Sequence, residues 1–304
     1  MNEYLIAGLA RIIPMERIHR QEPMSAHTTF RVGGPAACFV SPESEEELVR
    51  LIKYLNMAEI SYFLMGNGSN LLVSDKGYEG VVVQVGSHME HIEVVGNIMT
   101  VSAGTSMGKA AREAAKYGLT GLEFASGIPG TVGGGVVMNA GAYGSEMTQV
   151  VKEVRVVDEH GEILQLDHES MEFGYRTSAI RNRGFVVLSV TFSLTPGKKE
   201  EIEARMEDLN QRRREKQPLE YPSAGSTFKR PEGYFAGKLI EDAGCKGLTI
   251  GGACVSTKHC GFVINKDHAT AQDVKDVIRA VQKSVEEQFD VKLETEVISL
   301  GDFS

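Results

Sequence analysis

Three polar residues stand where small or apolar neighbours leave them room to act. Ser226 lies in Ser223-Ala224-Gly225-Ser226-Thr227-Phe228-Lys229, whose small residues leave its hydroxyl accessible. Arg176 lies in Phe173-Gly174-Tyr175-Arg176-Thr177-Ser178, and a single guanidinium there can clamp a carboxylate through two parallel N–H bonds. Glu296 lies in Leu293-Glu294-Thr295-Glu296-Val297-Ile298, and strand alternation puts it on the same face as Glu294 and Ile298. Each has an ordinary explanation as well: a turn serine, a surface ion pair, a carboxylate facing water. Taken singly, none of the three identifies a reaction.

Two glycine-rich stretches suggest a bound anion. Residues 127–146 hold seven glycines in twenty positions, and each removes a Cβ, which suits contact with a ligand better than packing. Pro129 can open a turn and Thr131 can cap a short helix, whose N-terminal N–H groups and dipole would then meet a diphosphate. A ligand-free glycine loop is the alternative, and the apolar Val136-Val137-Met138 argues against it. Upstream, Gly66-Asn67-Gly68-Ser69-Asn70 reads as a tight loop between two expected strands, able to cradle phosphate oxygens or, taken alone, equally a plain turn. It is not a dinucleotide fingerprint of the Rossmann kind, because Leu71 occupies the third glycine position and a strand follows.

Positioning these residues takes a chain of ordinary globular composition. Its 304 residues are 42% apolar and 24% charged, enough for two domains or three small ones. A formal charge of −9 argues against non-specific nucleic-acid binding, so an anionic ligand needs a local basic cluster. Cys38, Cys245, Cys254 and Cys260 form no C-x-x-C pair and read as buried thiols of a reducing cytoplasm. No N-terminal signal peptide and no apolar run of about 20 residues is seen, so no membrane partner is expected, nor a metal.

The periodicity predicts an N-terminal helix, then a strand over 37–40, a helix over 44–57, and strands over 61–65, 71–73 and 81–85. A hairpin follows at 92–95 and 98–103, then a helix over 106–117 with Gly118 as its left-handed stop. After the central glycine stretch come a hairpin around His160-Gly161, a helical piece near Met171 and a strand over 185–194 that closes a second lobe. A charged helix over 198–216 marks a composition shift. Arg212, Arg213, Arg214 and Lys216 gather at its end, either as charges complementing the helix dipole or as a basic rim for an anionic substrate. Helices over 236–243 and 271–289, strands over 253–256 and 261–265, and a final strand over 292–300 complete the chain.

These segments, taken in order, resemble one family. Thr29-Phe30-Arg31-Val32-Gly33-Gly34, Gly66 to Leu71, Gly127 to Gly144, Tyr175-Arg176, Gly225-Ser226-Thr227-Phe228, Ala236-Gly237-Lys238-Leu239-Ile240 and Leu293 to Gly301 are similar to the UDP-N-acetylenolpyruvoylglucosamine reductase (MurB) family. The resemblance implies an α+β chain: a helical lead-in (1–29), a PCMH or vanillyl-alcohol-oxidase-type FAD-binding domain (30–196, lobes about 30–86 and 87–196) and a substrate-binding domain (197–304). It implies NADPH-dependent reduction, through non-covalent FAD, of the enolpyruvyl ether of UDP-N-acetylglucosamine to UDP-N-acetylmuramate in peptidoglycan synthesis. A cytoplasmic monomer is expected, with the UDP-sugar and NADPH as its small-molecule partners.

By the same resemblance Arg176, Ser226 and Glu296 are catalytic. Hydride passes from NADPH to flavin N5 and on to C3; Arg176 and a protonated Glu296 stabilise the enolate, and Ser226 protonates C2. An ionised Glu296 would repel the enolate, so burial is expected to raise its pKa. Gly66, Asn67, Gly68, Ser69, Asn70, Gly127, Ile128, Pro129, Gly130, Thr131, Gly134, Asn139, Gly141, Ala142 and Tyr143 are the expected cofactor-binding residues. Tyr175, Arg230, Tyr234, Lys238 and Lys246 are the expected substrate-binding residues. Only Thr177 to Gly184 separate Arg176 from Phe185, so the chain looks like the shorter form of the family, without the insertion that carries a lid tyrosine. Gly66 to Leu71 holds no His or Cys to tether flavin covalently. An oxidase or dehydrogenase of the same fold, acting on a small alcohol or hydroxy acid, is the alternative activity; the pairing of Gly225-Ser226 with Glu296 argues against it.

Overall fold

The computed structural model describes residues 3–304. Its helices are α1 (Glu3–Leu9), α2 (Glu45–Met57), α3 (Met107–Lys116), α4 (Val132–Val137), α5 (Ala179–Arg183), α6 (Lys199–Lys216), α7 (Ala236–Asp242) and α8 (Ala271–Phe289). Contacts gather the chain into two compact units, neither of them a continuous stretch. Unit 1 comprises 1–20, 38–67 and 80–213, and unit 2 comprises 21–37, 68–79 and 214–304.

Unit 1 is built on a five-stranded antiparallel sheet ordered Ile163–Asp167, Val151–Val157, Val186–Ser193, Ile98–Ser102 and Ile92–Val95. The strand expected to close a lobe is instead its centre. Every residue from Val186 to Phe192 is buried, because this strand is paired on both edges and covered on both faces. The expected hairpin forms around Gly96-Asn97, with Val95 opposite Ile98. Tyr62–Met65 runs parallel to the later half of Tyr78–Gln84, Tyr62 opposite Val81.

The helices of unit 1 start and face as their sequences dictate. Ser44 accepts the Glu47 N–H at 3.1 Å, three glutamates occupy the first turn of α2, and Leu48, Leu51, Ile52 and Leu55 form its buried stripe. Ser106 caps α3 in the same way, and Gly118 takes φ +65° beyond its end. Ile202 and Met206 of α6 pack into the unit 1 core. The strand Ile18–Pro23 has no counterpart in the sequence reading, since its pattern is polar apart from Ile18.

Unit 2 has its own core, in which α8 lies against Leu239, Ile240, Ala253, Val255 and Val263. Thr270 and Asp273 form a reciprocal capping box, and the Asp75 carboxylate accepts the N–H groups of Ala271 and Gln272, both at 2.9 Å. The final strand is shorter than expected, Ile298–Leu300, parallel to Leu71–Val73. Residues 294–296 are held instead by one antiparallel bridge between Thr295 and Phe228. Among the described residues no helix is long and apolar enough to cross a membrane, and no cluster of His, Cys, Asp and Glu could hold a metal ion.

Candidate active site

In unit 1 the two glycine stretches meet. The Asn67 side-chain amide donates to the Pro129 carbonyl at 3.0 Å, and a Cβ on Gly66 would lie 2.3 Å from Thr131 Oγ1. Thr131 caps α4 as expected, accepting the Gly134 N–H at 3.3 Å. The expected diphosphate site at that helix end is not formed. Val132 N–H is bound to the Thr105 carbonyl at 2.8 Å and Gly133 N–H to the Ala103 carbonyl at 2.9 Å, so with Gly134 the first three amides already have partners. The expectation that these glycines serve contact rather than packing also needs correcting. A Cβ would stand 2.8 Å from Ala103 Cβ at Gly133 and 2.7 Å from Met107 Sδ at Gly135, so both let α4 pack closely on its neighbours.

Arg176 sits in a tight turn, with Gly174 and Thr177 exchanging backbone hydrogen bonds of 3.1 and 3.3 Å. Its φ is +56°, a left-handed conformation that the turn imposes. The buried Asn139 ties this turn to the glycine stretch, its Nδ2 donating to the Gly174 carbonyl and its Oδ1 accepting the Thr148 N–H, each at 3.0 Å. Ser178 donates to the Val137 carbonyl at 3.0 Å, fastening the far side. The guanidinium donates to the Gly141 carbonyl at 3.4 Å and lies 5.1 Å from the ring centroid of the exposed Tyr175. Asn139 was expected at the cofactor; its amide is largely engaged in positioning Arg176. The connection to Phe185 is filled by α5, which ends at Gly184 in the left-handed conformation.

Ser226 and Glu296 both belong to unit 2, on neighbouring segments. Between them, Thr227 donates its N–H to the Gly261 carbonyl at 2.8 Å, accepts Val263 N–H on Oγ1 at 3.0 Å and accepts Glu296 N–H on its carbonyl at 2.9 Å. The exposed Ser226 is thus the residue before a buried, triply bonded anchor. Glu296 is half-buried, while Glu294 is exposed and paired with Lys229 at 3.0 Å. Asn70, expected at the cofactor, donates its side-chain amide to the Glu296 carbonyl at 3.0 Å, and so links the first glycine loop to the Glu296 segment.

The expected substrate-binding cations differ in availability. Lys238 is paired with Asp242 at 2.5 Å and Lys246 with Glu241 at 2.9 Å; the carboxylates raise both ammonium pKa values. Arg230 donates to the Tyr234 carbonyl at 3.2 Å and stacks on Phe235, its guanidinium carbon 4.0 Å from the ring centroid. In unit 1 the arginine cluster of α6 resolves differently. Arg212 pairs with Asp208 at 2.9 Å, whereas Arg213 turns inward beside Gly127, where burial lowers its pKa. Sequence reading had grouped these arginines; no local signal separates them.

Residues 217–300 match the UDP-N-acetylenolpyruvoylglucosamine reductase C-terminal domain family, and residues 36–167 match an FAD-binding domain family. The chain is 52% identical over 302 residues to UDP-N-acetylenolpyruvoylglucosamine reductase of Caldanaerobacter subterraneus subsp. tengcongensis, covering 99% of this chain and 100% of that one. The chain belongs to the UDP-N-acetylenolpyruvoylglucosamine reductase family. The Clostridium perfringens reductase is 50% identical over 303 residues, 99% of each chain. A crystal structure of the family's enzyme from Thermus caldophilus superposes with a TM-score of 0.81 at 37% identity, over 94% of this chain and 99% of that one. The fold is accordingly the family's, a PCMH-type FAD-binding part followed by the reductase C-terminal domain.

Proposed function

We propose that the chain reduces the enolpyruvyl group of UDP-N-acetylglucosamine-enolpyruvate to UDP-N-acetylmuramate, a step of peptidoglycan synthesis, with NADPH as reductant and FAD as the bound cofactor. The observation that carries this reading is likeness to reductases of this name along the whole chain, 52% over 302 residues. Two features of unit 1 fit a flavin dinucleotide. Gly66 brings one loop against Thr131 where no side chain would fit, and the buried Ser126 Oγ, one residue before the central glycine stretch, has no hydrogen-bond partner. The residues assigned to hold the cofactor are Gly66 to Asn70, Gly127 to Thr131, Gly134 and Gly141 to Tyr143. Asn139 positions the neighbouring turn. Bound FAD supplies the two-electron relay from NADPH to the enolpyruvyl double bond.

The chain's own residues supply the rest. Arg176, locked by its turn, presents a planar guanidinium to the substrate carboxylate, where charge grows as C3 gains hydride. Glu296, protonated, donates a hydrogen bond to the same developing enolate. Ser226 delivers a proton to C2, so hydride and proton together saturate the double bond. Tyr175, Arg230 and Tyr234 bind the UDP-sugar, with Lys238 and Lys246 released from their carboxylates as they join it. The protein works as a monomer in the cytoplasm, without nucleic acid or membrane; the four buried free cysteines fit a reducing compartment, and the charge of −9 is unfavourable for binding nucleic acid. The test is the absorbance spectrum of the purified protein. Flavin bands should bleach on NADPH and return on adding the enolpyruvyl sugar without oxygen; bands that fail to return overturn the proposal.

A further inference from the structure

Strand Val263–Asn265 ends the three-stranded sheet of unit 2, paired on one edge with Ala253–Val255. Its other edge is covered by the segment that carries Ser226. The Asn265 N–H donates to the Pro222 carbonyl at 2.9 Å, the Val263 N–H donates to Thr227 Oγ1 at 3.0 Å, and the Thr227 N–H donates to the Gly261 carbonyl at 2.8 Å. Residues 223–226 therefore arch away from the strand between two attachments, and Ser226 is the last residue of the arch. Gly225 bends it at φ +75°, where a Cβ would meet no described atom within 4 Å, so backbone conformation rather than crowding calls for glycine.

The attachment at Thr227 is made by a polar side chain in an apolar place. Thr227 is fully buried next to the buried Phe228, where valine would have the same outline. What threonine adds is an oxygen for the Val263 N–H, a donor that would otherwise be buried and unpaired. That oxygen also gives the residue a second point of attachment. Held by its N–H alone, the end of the arch could pivot about one bond; held as well through a side chain that is stiff at χ1, it cannot. Glu296 depends less on this pin. Its N–H donates to the Thr227 carbonyl at 2.9 Å, but its carbonyl accepts the Asn70 side-chain amide at 3.0 Å, and Ile298 N–H donates to the Asn70 carbonyl at 3.0 Å.

We infer that Thr227 is a positioning residue of the reaction: its hydroxyl, fixed on the Val263 N–H, holds the end of the arch so that Ser226 stands where the proton must be delivered. The competing account is that the hydroxyl only satisfies a sheet edge and contributes stability.

The inference rests on the reading of Ser226 as proton donor, so S226A is its control. Stopped flow on the wild-type holoprotein, T227V, T227S, S226A and the double variant S226A/T227V follows bleaching by NADPH and reoxidation by saturating enolpyruvyl sugar. T227V should bleach at the normal rate and half-saturate with the sugar within about threefold of wild type. Its reoxidation should slow by about tenfold or more, since misplacing a reacting group by about 1 Å costs up to about 10²-fold. T227S keeps the acceptor and should recover to within about threefold of wild type. In the S226A background the Thr227→Val change should cost less than about twofold, because a residue that acts through Ser226 then has nothing left to position. Normal reoxidation of T227V, or a loss equal in both backgrounds, overturns the inference and leaves the role of Ser226 standing. S226A that reoxidises normally overturns the proton-donor reading, and this inference with it. Should T227V fail to fold, T227A, which leaves room for a water on the Val263 N–H, takes its place in the same cycle and must give the same result.

Discussion

Arg176 carries the clearest single-residue test, because its turn fixes the backbone while its chemistry depends on the fork of the guanidinium. Replacing it with Lys keeps the charge and the cation near Tyr175 but loses the paired N–H bonds to a carboxylate. The Arg176→Lys protein should keep its flavin content and melting temperature and lose kcat by about 10²-fold, read by steady-state kinetics beside a spectrum. Unchanged turnover would make Arg176 a surface residue. Ser226 separates the reaction in time instead. A proton donor to C2 has no part in the reduction of flavin by NADPH, so Ser226→Ala should bleach at the normal rate in stopped flow. Reoxidation by the enolpyruvyl sugar should slow by roughly 10²–10⁴-fold, the usual worth of a positioned general acid. Slow bleaching with normal reoxidation would reverse the assignment and make Ser226 a nicotinamide-positioning residue.

Among the elements, α8 shows how a local signal becomes a pH dependence. Asp273 closes the capping box and accepts N–H bonds from Thr270 at 3.0 Å and Gly252 at 3.1 Å, which hold its carboxyl below the ordinary range. A depressed folded pKa means stability that is present above the unfolded value of about 3.9 and lost as pH falls through the folded one. Asp273→Asn should therefore lower stability at pH 7 by about 0.5–2 kcal/mol, the worth of a cap, and the gap from wild type should close as urea unfolding is repeated toward pH 3. A gap that stays constant with pH would assign the loss to geometry alone. The glycine stretch behaves as an element of another kind. Gly133 and Gly135 are dictated by packing and Gly66 by close approach to Thr131, so equal composition conceals different causes.

For the whole molecule, the prediction concerns how the flavin is held. Gly66 to Leu71 contains no His or Cys, and all four cysteines are buried, Cys38 with its thiol pushed up to about 11 by burial. No His or Cys stands in the loops assigned to it. Acid precipitation of the yellow protein should leave all colour in the supernatant; colour that stays with the pellet would show a covalent bond.

What the sequence determined by itself is whatever depends on a few consecutive residues. The ends of α8 are legible to the residue because Thr270, Asp273 and the spacing of Val274, Val277, Ile278, Val281 and Val285 all act within one helix. The hairpin at Gly96-Asn97 and the cap at Thr131 were likewise readable. Tertiary structure alone decided which groups were left over once distant segments had paired. Ala103 and Thr105 occupy the amides of α4, Asn139 grips the Arg176 turn 35 residues on, and Asn70 reaches the Glu296 carbonyl across 226 residues. Arg213 is distinguished from Arg212 only by the direction in which α6 turns it. A hydrogen bond or a desolvated charge depends on which atoms meet in space, and segments far apart in the chain carry no local trace of that meeting.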